Sequence, residues 1–361
     1  MHLAQLRLRD FRNYARLDAE FAPGCHLLLG DNAQGKTNIL EAIYLLATLR
    51  SFRGVGGAPM VRHGQPGYFV GGTVVGTGTH EVKLYWSARE RQFTLDGQPV
   101  RRLTDYLGTL RVTVFCAEDV HLVKGTARHR RRFMDLLLSQ TRPGYLPLLQ
   151  RYLRAVRARN ALLRQPVLDQ AALDSFTAEL VRLGNELMAC RRALLPELTA
   201  AAAGAYARIA RGGETLRLVY QPSVREDFAV ELACARPREV HRGVTLVGPH
   251  LDELQLLLDG QPAAQFGSEG QKRCIALALK VAQAELLTRA HAAPPVLLID
   301  DVMGELDAKR RSAFVPLLEQ VHQNRGQVLM TTTEEKWPGE LAGTAQRWIV
   351  RAGTLTPVAR P

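Results

Sequence analysis

Long apolar runs are missing from this chain of 361 residues, and none approaches the ~18 residues that crossing a bilayer needs. The opening stretch, Met1-His2-Leu3-Ala4-Gln5-Leu6-Arg7-Leu8-Arg9-Asp10, carries no signal-peptide core. Cysteine is scarce. The five thiols (Cys25, Cys116, Cys190, Cys234, Cys274) are scattered, odd in number and without a CxxC pair. That pattern fits reduced thiols in a cytoplasm and argues against structural zinc. Internal repeats and low-complexity linkers are also absent. Lysine is rare, with seven in the chain, so arginine supplies most of the 47 basic side chains set against 35 acidic ones. The resulting net charge of +12 and pI near 9.8 point to a polyanionic partner. The arginine bias suits bidentate phosphate contacts, and a GC-rich genome accounts for it equally well. With 46% apolar and 23% charged residues, the composition is that of a soluble globular protein. The length accommodates one large domain or two smaller ones.

Against this background one motif is complete: Gly30-Asp31-Asn32-Ala33-Gln34-Gly35-Lys36-Thr37. His26-Leu27-Leu28-Leu29 before it reads as a short buried strand. The stretch from Asn38 to Leu46 after it reads as a helix with apolar residues at helical spacing. Glycines let the backbone curl so that its N–H groups face an anion, and the new helix points its positive end at the same place. Lys36 is expected to reach the β- and γ-phosphates of a nucleoside triphosphate, and Thr37 a Mg²⁺ ion. A chance glycine turn is the bland alternative; the filled fixed positions and the strand–loop–helix context argue against it.

The flanking segments divide by pattern. Leu3–Leu8 and Arg16–Phe21 alternate as strands. Tyr68–Val75, Glu81–Ser87 and Gln92–Leu95 read as antiparallel strands, with Asp96-Gly97 as a hairpin signal. In the middle, Leu146, Leu149, Leu153, Val156, Asn160 and Leu163 follow a 3-4-3-4-3 spacing, repeated by Leu173, Phe176, Leu180, Leu183, Leu187, Cys190 and Leu194. With a turn region at 164–169, this describes either an antiparallel helical hairpin with arms of about 30 Å or a helix pair buried in a bundle. Thr215–Tyr220, Val244–Val247 and Glu253–Leu258 return to strand character. A helix from about 268, a strand Val296–Ile299, a helix from about 307 and a strand Gln327–Met330 then form α/β units with parallel strands.

Val296–Asp301 is an apolar strand ending in two carboxylates. Beside a phosphate loop, Asp300 is placed to join a Mg²⁺ shell, and Asp301 to orient or deprotonate an attacking water. About thirty residues earlier, Ser268-Glu269-Gly270-Gln271 opens a helix. Ser268 suits an N-cap, Gly270 allows a ligand close to the backbone, and the helix start is a second anion site.

Phosphate loop, long insertion, Ser-Glu-Gly-Gln, Asp-Asp and then Gly304-Glu305-Leu306-Asp307 is the order found in ABC-type ATPase heads of the SMC kind. Asp10-Phe11-Arg12-Asn13-Tyr14, Ala117–Gly125 with Arg131–Asp135, and Val247-Gly248-Pro249-His250 narrow the resemblance to the RecF family of bacterial recombination-repair proteins, nearly end to end. The resemblance implies an α/β ABC-type P-loop head, with a mixed sheet and an antiparallel β subdomain, at 1–115 and 245–361. It implies a helical lobe with a short hairpin at 116–244. It implies ATP and Mg²⁺ as ligands, held by Gly30 to Asn38 with Arg12 and Asn13. Ser268, Gly270 and Gln271 would serve the nucleotide of a second copy in an ATP-dependent homodimer. Catalysis would rest on Lys36, Ser268 and Asp301, and metal binding on Thr37 and Asp300. The implied role is a weak, switch-like ATPase acting in DNA repair and replication with RecO and RecR at single/double-strand junctions. Asp301 stands where ABC transporters carry a glutamate, one methylene longer. Glu118-Asp119 falls where a glutamine would be usual, and Thr331-Thr332-Thr333 follows the last strand where transporters place a histidine.

The cluster Arg128-His129-Arg130-Arg131-Arg132 falls in the first turns of a helix that Thr126 could cap. Cations there oppose the helix dipole. Either an anionic partner (DNA, or a second copy) draws on Arg128, Arg130, Arg131 and Arg132, or nearby acidic side chains absorb the cost. Arg151, Arg154, Arg157 and Arg159 read as solvated. Another SMC-like DNA-repair ATPase, a transporter ATPase subunit and a small-molecule P-loop kinase are the alternatives.

Overall fold

The computed structural model describes residues 1–210, 212–302, 315, 316, 318, 326–333 and 345–358. Two compact units form, one from 1–119 with 283–361 and one from 120–282. The first unit opens with β1 (His2–Phe11), β2 (Tyr14–Glu20), β3 (Gly24–Leu29), α1 (Lys36–Thr48), β4 (Gly67–Val75), β5 (Thr79–Ser87), β6 (Arg91–Leu95), β7 (Gln98–Pro99), α2 (Leu103–Tyr106) and β8 (Val112–Phe115). The second unit holds α3 (His121–Lys124), α4 (Ala127–Thr141), α5 (Tyr145–Leu163), α6 (Gln170–Ala210), β9 (Leu216–Gln221), α7 (Phe228–Arg242), β10 (Glu253–Leu258), β11 (Gln261–Pro262) and α8 (Ala263–Phe266). Helix α9 (Glu269–His291) starts in the second unit and ends in the first, which continues with β12 (Val296–Asp300), β13 (Gln327–Thr332), β14 (Gln346–Arg351) and β15 (Thr354–Pro357).

Two sheets build the first unit. An antiparallel sheet runs β2-β1-β4-β5-β6-β7, with the Asp96-Gly97 turn joining the last two strands at φ 51° and 78°. The other sheet runs β15-β14-β3-β13-β12-β8; all its strands are parallel except β15. The central parallel strands β12 and β13 are rich in buried apolar residues because both their faces are covered. Val296, Leu297, Leu298 and Ile299 are buried, as are Val328, Leu329 and Met330. The register sets Asp300 beside Thr331 and Thr331 beside Leu28. The ends of the phosphate-loop strand and the carboxylate strand thus fall level, one strand apart.

In the second unit α5 and α6 pack as the expected hairpin, with Arg151 reaching Glu179 and Arg159 reaching Thr177. Helix α6 does not end near Leu194. It runs through Pro196 for 41 residues, about 60 Å at 1.5 Å per residue. An alanine-rich stretch and buried Leu198, Ala202, Ala205 and Tyr206 continue its apolar face. Residues 245–282, expected with the ATPase part, belong to this unit, where β10 pairs antiparallel with β9. The expected strand Val244–Val247 is not one. Side chains take its backbone donors instead: Thr245 N–H bonds Asn160 Oδ1 at 2.8 Å and Leu246 N–H bonds Glu239 Oε1 at 2.8 Å. Arg159 is a second correction. Far from being solvated, it is 1% exposed and pairs with fully buried Glu239 at 2.6 Å, with Thr177 and Thr245 completing its donors.

Removing one member of such a buried pair strands the other. Arg159→Met is therefore expected to destabilise the protein by about 3–5 kcal/mol in urea unfolding, and Arg159→Met with Glu239→Gln by clearly less. Equal losses in the two variants would show that the stranded charge is not what matters.

Candidate nucleotide and metal site

The phosphate loop leaves β3 and enters α1 through three left-handed residues, Gly30 (φ 155°), Ala33 (φ 63°) and Gly35 (φ 112°). Two of these cannot be anything but glycine. A Cβ on Gly30 would lie 2.3 Å from the Val350 carbonyl oxygen, and one on Gly35 would lie 2.6 Å from the Asn13 amide. The loop is braced from outside. Asn13 Nδ2 donates to the Gln34 carbonyl at 2.9 Å, and Asn13 Oδ1 accepts from Asn38 Nδ2 at 2.8 Å. The Tyr14 hydroxyl donates to the Gly35 carbonyl at 3.1 Å. Gln34 accepts backbone N–H groups of Ala352 and Gly353. Asp31, Asn32 and Ala33 remain exposed at the tip.

Lys36 is buried, with its ammonium donating to the carbonyls of Gly30 and Asp31. Burial lowers its pKa, against the pull of Asp301, Asp300 and Asp31. Thr37 Oγ1 donates to Asp300 Oδ1 at 2.8 Å, and Thr331 Oγ1 donates to the same oxygen at 2.9 Å. Thr331 Oγ1 also accepts the Asp301 N–H at 2.9 Å. So Thr331, left open by sequence reasoning, links the Asp300 carboxylate to the Asp301 backbone. Asp301 is exposed and left-handed (φ 55°), which turns its side chain out of the strand end. Burial raises the pKa of Asp300, opposed by the two threonine hydroxyls. The Thr37 hydroxyl and the Asp300 carboxylate form a hard, all-oxygen donor pair in contact, which fits Mg²⁺ and no soft metal.

Arg12, the candidate nucleotide contact implied by the resemblance, is engaged within its own unit. Its guanidinium is bidentate to Glu41, at 2.8 and 2.7 Å, and donates to the Pro59 carbonyl at 2.8 Å. Glu41, on α1 and fully buried, also accepts from Ser51 Oγ at 2.5 Å. Arg53 lies 3.9 Å from Glu41 and bonds Asn38 Oδ1 at 3.2 Å. Glu41, Ser51 and Arg53 went unnoticed in the sequence, where a glutamate at a helix position reads as solvated. Glu118 adds its charge to the field at Asp300, and Asp119 Oδ2 accepts the Cys116 N–H at 2.9 Å.

In the second unit, Ser268 and Gln271 cap α9 reciprocally. The Gln271 N–H bonds Ser268 Oγ at 3.2 Å, and the Ser268 N–H bonds Gln271 Oε1 at 2.6 Å. Ser268 is exposed and Gly270 half-buried. The basic cluster divides. Arg130 is bidentate to Glu253 at 2.6 Å and bonds the Gly125 carbonyl at 2.8 Å; Arg131 bonds the Asp252 carbonyl at 2.6 Å. These two arginines are engaged internally, which is the second of the two readings left open for the cluster, while Arg128 and Arg132 are exposed. Thr126 precedes α4 without a side-chain cap bond. The Gly304–Asp307 motif and the helix expected from about 307 lie outside the described residues.

The raised pKa of Asp300 has a sign. Its ionised form is disfavoured in the folded chain, so its stabilising contribution is present at acid pH and lost as pH rises through the folded value. At neutral pH without ligands, Asp300→Asn should raise Tm by about a degree, the gain fading as pH falls. A lower Tm in calorimetry would contradict this.

Comparison with known proteins places the chain in a family and a fold. Residues 2–342 match the family model described as RecF/RecN/SMC N terminal domain. The chain is 38% identical to the DNA replication and repair protein RecF of Symbiobacterium thermophilum, covering 98% of each chain. It is 40% identical to that of Frankia alni, covering 98% of this chain and 99% of the other. A solved structure of the recombination mediator protein RecF with ATP, in the RecFOR pathway, superposes with a TM-score of 0.90 at 26% identity, covering 99% of this chain and 98% of the other. An Smc head domain from Pyrococcus furiosus shares the fold at a TM-score of 0.58 and 15% identity, over 99% of this chain and 96% of the other. With a phosphate loop, a carboxylate strand and a Ser-Glu-Gly-Gln turn on the ATPase-head fold of these relatives, the chain belongs to the RecF family of the RecF/RecN/SMC N-terminal domain proteins.

Proposed function

We propose that this protein is an ATP-dependent DNA-binding ATPase of recombinational repair and replication, which closes as a homodimer on ATP and opens on slow hydrolysis. The observation that carries it is the Thr37–Asp300–Thr331 cluster, joining the start of α1 to the ends of β12 and β13, with the Lys36 ammonium in the field of Asp300 and Asp301. The N–H groups of Gly35, Lys36 and Thr37 cradle phosphate oxygens at the start of α1, and Lys36 neutralises their charge. Thr37 and Asp300 would hold Mg²⁺, which would supply positive charge to offset that developing on the terminal phosphoryl group. Asp301, held by its N–H to Thr331, orients the attacking water and accepts its proton. Its side chain is one methylene shorter than glutamate, which loosens this positioning and favours slow turnover. Arg12 acts through Glu41 as a support of α1 rather than as a ligand.

The exposed Ser268 hydroxyl and the α9 N-terminus are a second phosphate-binding element. We place them on the nucleotide of a second copy, so that two composite sites hold a symmetric dimer. The net charge of +12 supports binding to the DNA backbone. Arg128 and Arg132 are the arginines of the basic cluster left facing solvent. RecO- and RecR-like proteins are the partners that the RecFOR relatives point to. Base reading has no support in the chain, so contacts are to phosphates. A partner of this kind places the site of action in the cytoplasm. No helix among the described residues is long and apolar enough to cross a membrane.

Sedimentation with and without Mg·ATP tests the dimer. Lys36→Ala should bind no nucleotide and stay single. Ser268→Arg should bind nucleotide as tightly as the parent and also stay single; a normal ATP-driven dimer from it contradicts the shared-site reading. DNA binding provides an independent test. Joint Arg128→Ala and Arg132→Ala substitution should lower affinity and flatten the log–log salt slope by about 0.9 for each phosphate no longer neutralised. A salt response equal to the parent's would remove these arginines from the DNA surface.

A further inference from the structure

We infer that Glu214 is a positioning residue for the Ser268–Gln271 turn, and that through Tyr206 it fastens that turn to the end of the long helix α6. The inference rests on the reading that Ser268 acts on a nucleotide bound by a second copy. Gln271 has one side-chain acceptor and one donor group. Its Oε1 accepts the Ser268 N–H at 2.6 Å, and its Nε2 donates to Glu214 Oε1 at 2.6 Å. The other Glu214 oxygen, Oε2, accepts from the Tyr206 hydroxyl at 2.6 Å.

The direction of these bonds is what matters. A carboxylate only accepts, so it compels the amide nitrogen of Gln271 to face it. The amide oxygen is then forced toward Ser268, where it takes the backbone N–H. Turned the other way, Gln271 would set its donor against the Ser268 donor and its acceptor against a carboxylate, and the reciprocal cap would open. Glu214 therefore selects the one amide orientation that closes the turn and fixes where the Ser268 hydroxyl stands. Folding of α9 does not ask for this bond, since Cys274, Ile275, Ala278 and Leu279 bury its apolar face.

Tyr206 supplies the other end. It is 1% exposed in the last turns of α6, and burial, followed by the bond to Glu214, raises the pKa of its hydroxyl strongly. It thus stays a donor at any working pH. Its helix is the one that carries the hairpin seam from Gln170 onward. A shift of α6 along or about its axis reaches Gln271 through two hydrogen bonds, so the arm and the nucleotide-facing turn move as one piece.

The test uses the full chain and compares Glu214→Ala, Glu214→Gln and Tyr206→Phe with the parent. The readouts are affinity of the single protein for a fluorescent ATP analogue and the protein concentration at half-dimerisation in Mg·ATP by analytical ultracentrifugation. Two turns act per dimer, and removing a hydrogen bond is worth roughly fivefold at each. Glu214→Ala should raise the half-dimerisation concentration by about tenfold or more. Tyr206→Phe should raise it by less. Glu214→Gln should stay near the parent, because its amide oxygen accepts from Gln271 and its amide nitrogen donates to the Tyr206 oxygen. Nucleotide affinity of the single protein should stay within about twofold in all three. With Ser268→Arg run alongside, unchanged dimerisation of Glu214→Ala overturns the inference while leaving the shared-site reading intact. Dimerisation of Ser268→Arg overturns that reading itself. A Glu214→Gln variant as impaired as Glu214→Ala would show that charge and not amide orientation is at work, and would also overturn the inference. Should Glu214→Ala fail to fold, parent-like dimerisation of Tyr206→Phe overturns it.

Discussion

The carboxylate of Asp300 is held by two hydroxyls from different parts of the chain, Thr37 of α1 and Thr331 of β13, at 2.8 and 2.9 Å. Nearly everything else in the first unit exists to keep those three side chains level. The parallel pairing of β3, β13 and β12 sets the height of each strand end. A slip of one residue would turn Asp300 to the other face of the sheet. Apolar residues on both faces make such a slip costly, because every one of them would have to find a new partner. The acid pays for its place with a raised pKa. A carboxylate that is uncomfortable by itself is well prepared to meet a cation.

The loop before α1 is under a similar discipline. Of its three left-handed positions, Ala33 lacks glycine's freedom and is costly for the backbone. The loop persists because neighbours on three sides hold it: Asn13 and Tyr14 after β1, Gln34 reaching the turn after β14, and the Val350 carbonyl against Gly30. Behind it, Glu41 gathers Arg12, Ser51 and Arg53 around a buried charge. These contacts supply rigidity, so that backbone donors are already aimed before any anion arrives.

Sequence pattern made the phosphate loop, the Asp300 strand and the Ser268 cap legible, since each rests on local chemistry: glycine at forced φ, an apolar run ending in acids, a hydroxyl before a helix. It made the α5–α6 hairpin legible through spacing. It was silent where the partner is distant. Arg159 sits among exposed-looking arginines and is buried only because Glu239, eighty residues away, meets it. Arg130 and Arg131 look like a DNA patch until Glu253 and the Asp252 carbonyl, more than a hundred residues on, take them up. The stretch 244–247 has strand-like composition, yet side chains from α5 and α7 capture its backbone donors first. Helix α6 outlasts its leucine seam because alanines carry it past Pro196. In each of the charged cases the missing fact was a long-range ion pair or hydrogen bond, which no window on the sequence contains.

The Val350 carbonyl that closes on Gly30, and the Gln327 amide that exchanges hydrogen bonds with Leu3 at 2.9 and 3.0 Å, are made some three hundred residues after the segments they secure. At 5–20 residues per second, a ribosome needs roughly 15–60 s to span that gap. Throughout that interval the glycine loop has left the exit tunnel but lacks the strands on either side of β3. A nascent chain is thereby barred from gripping nucleotide early, and competence to do so arrives only after β13 and β14 have been made.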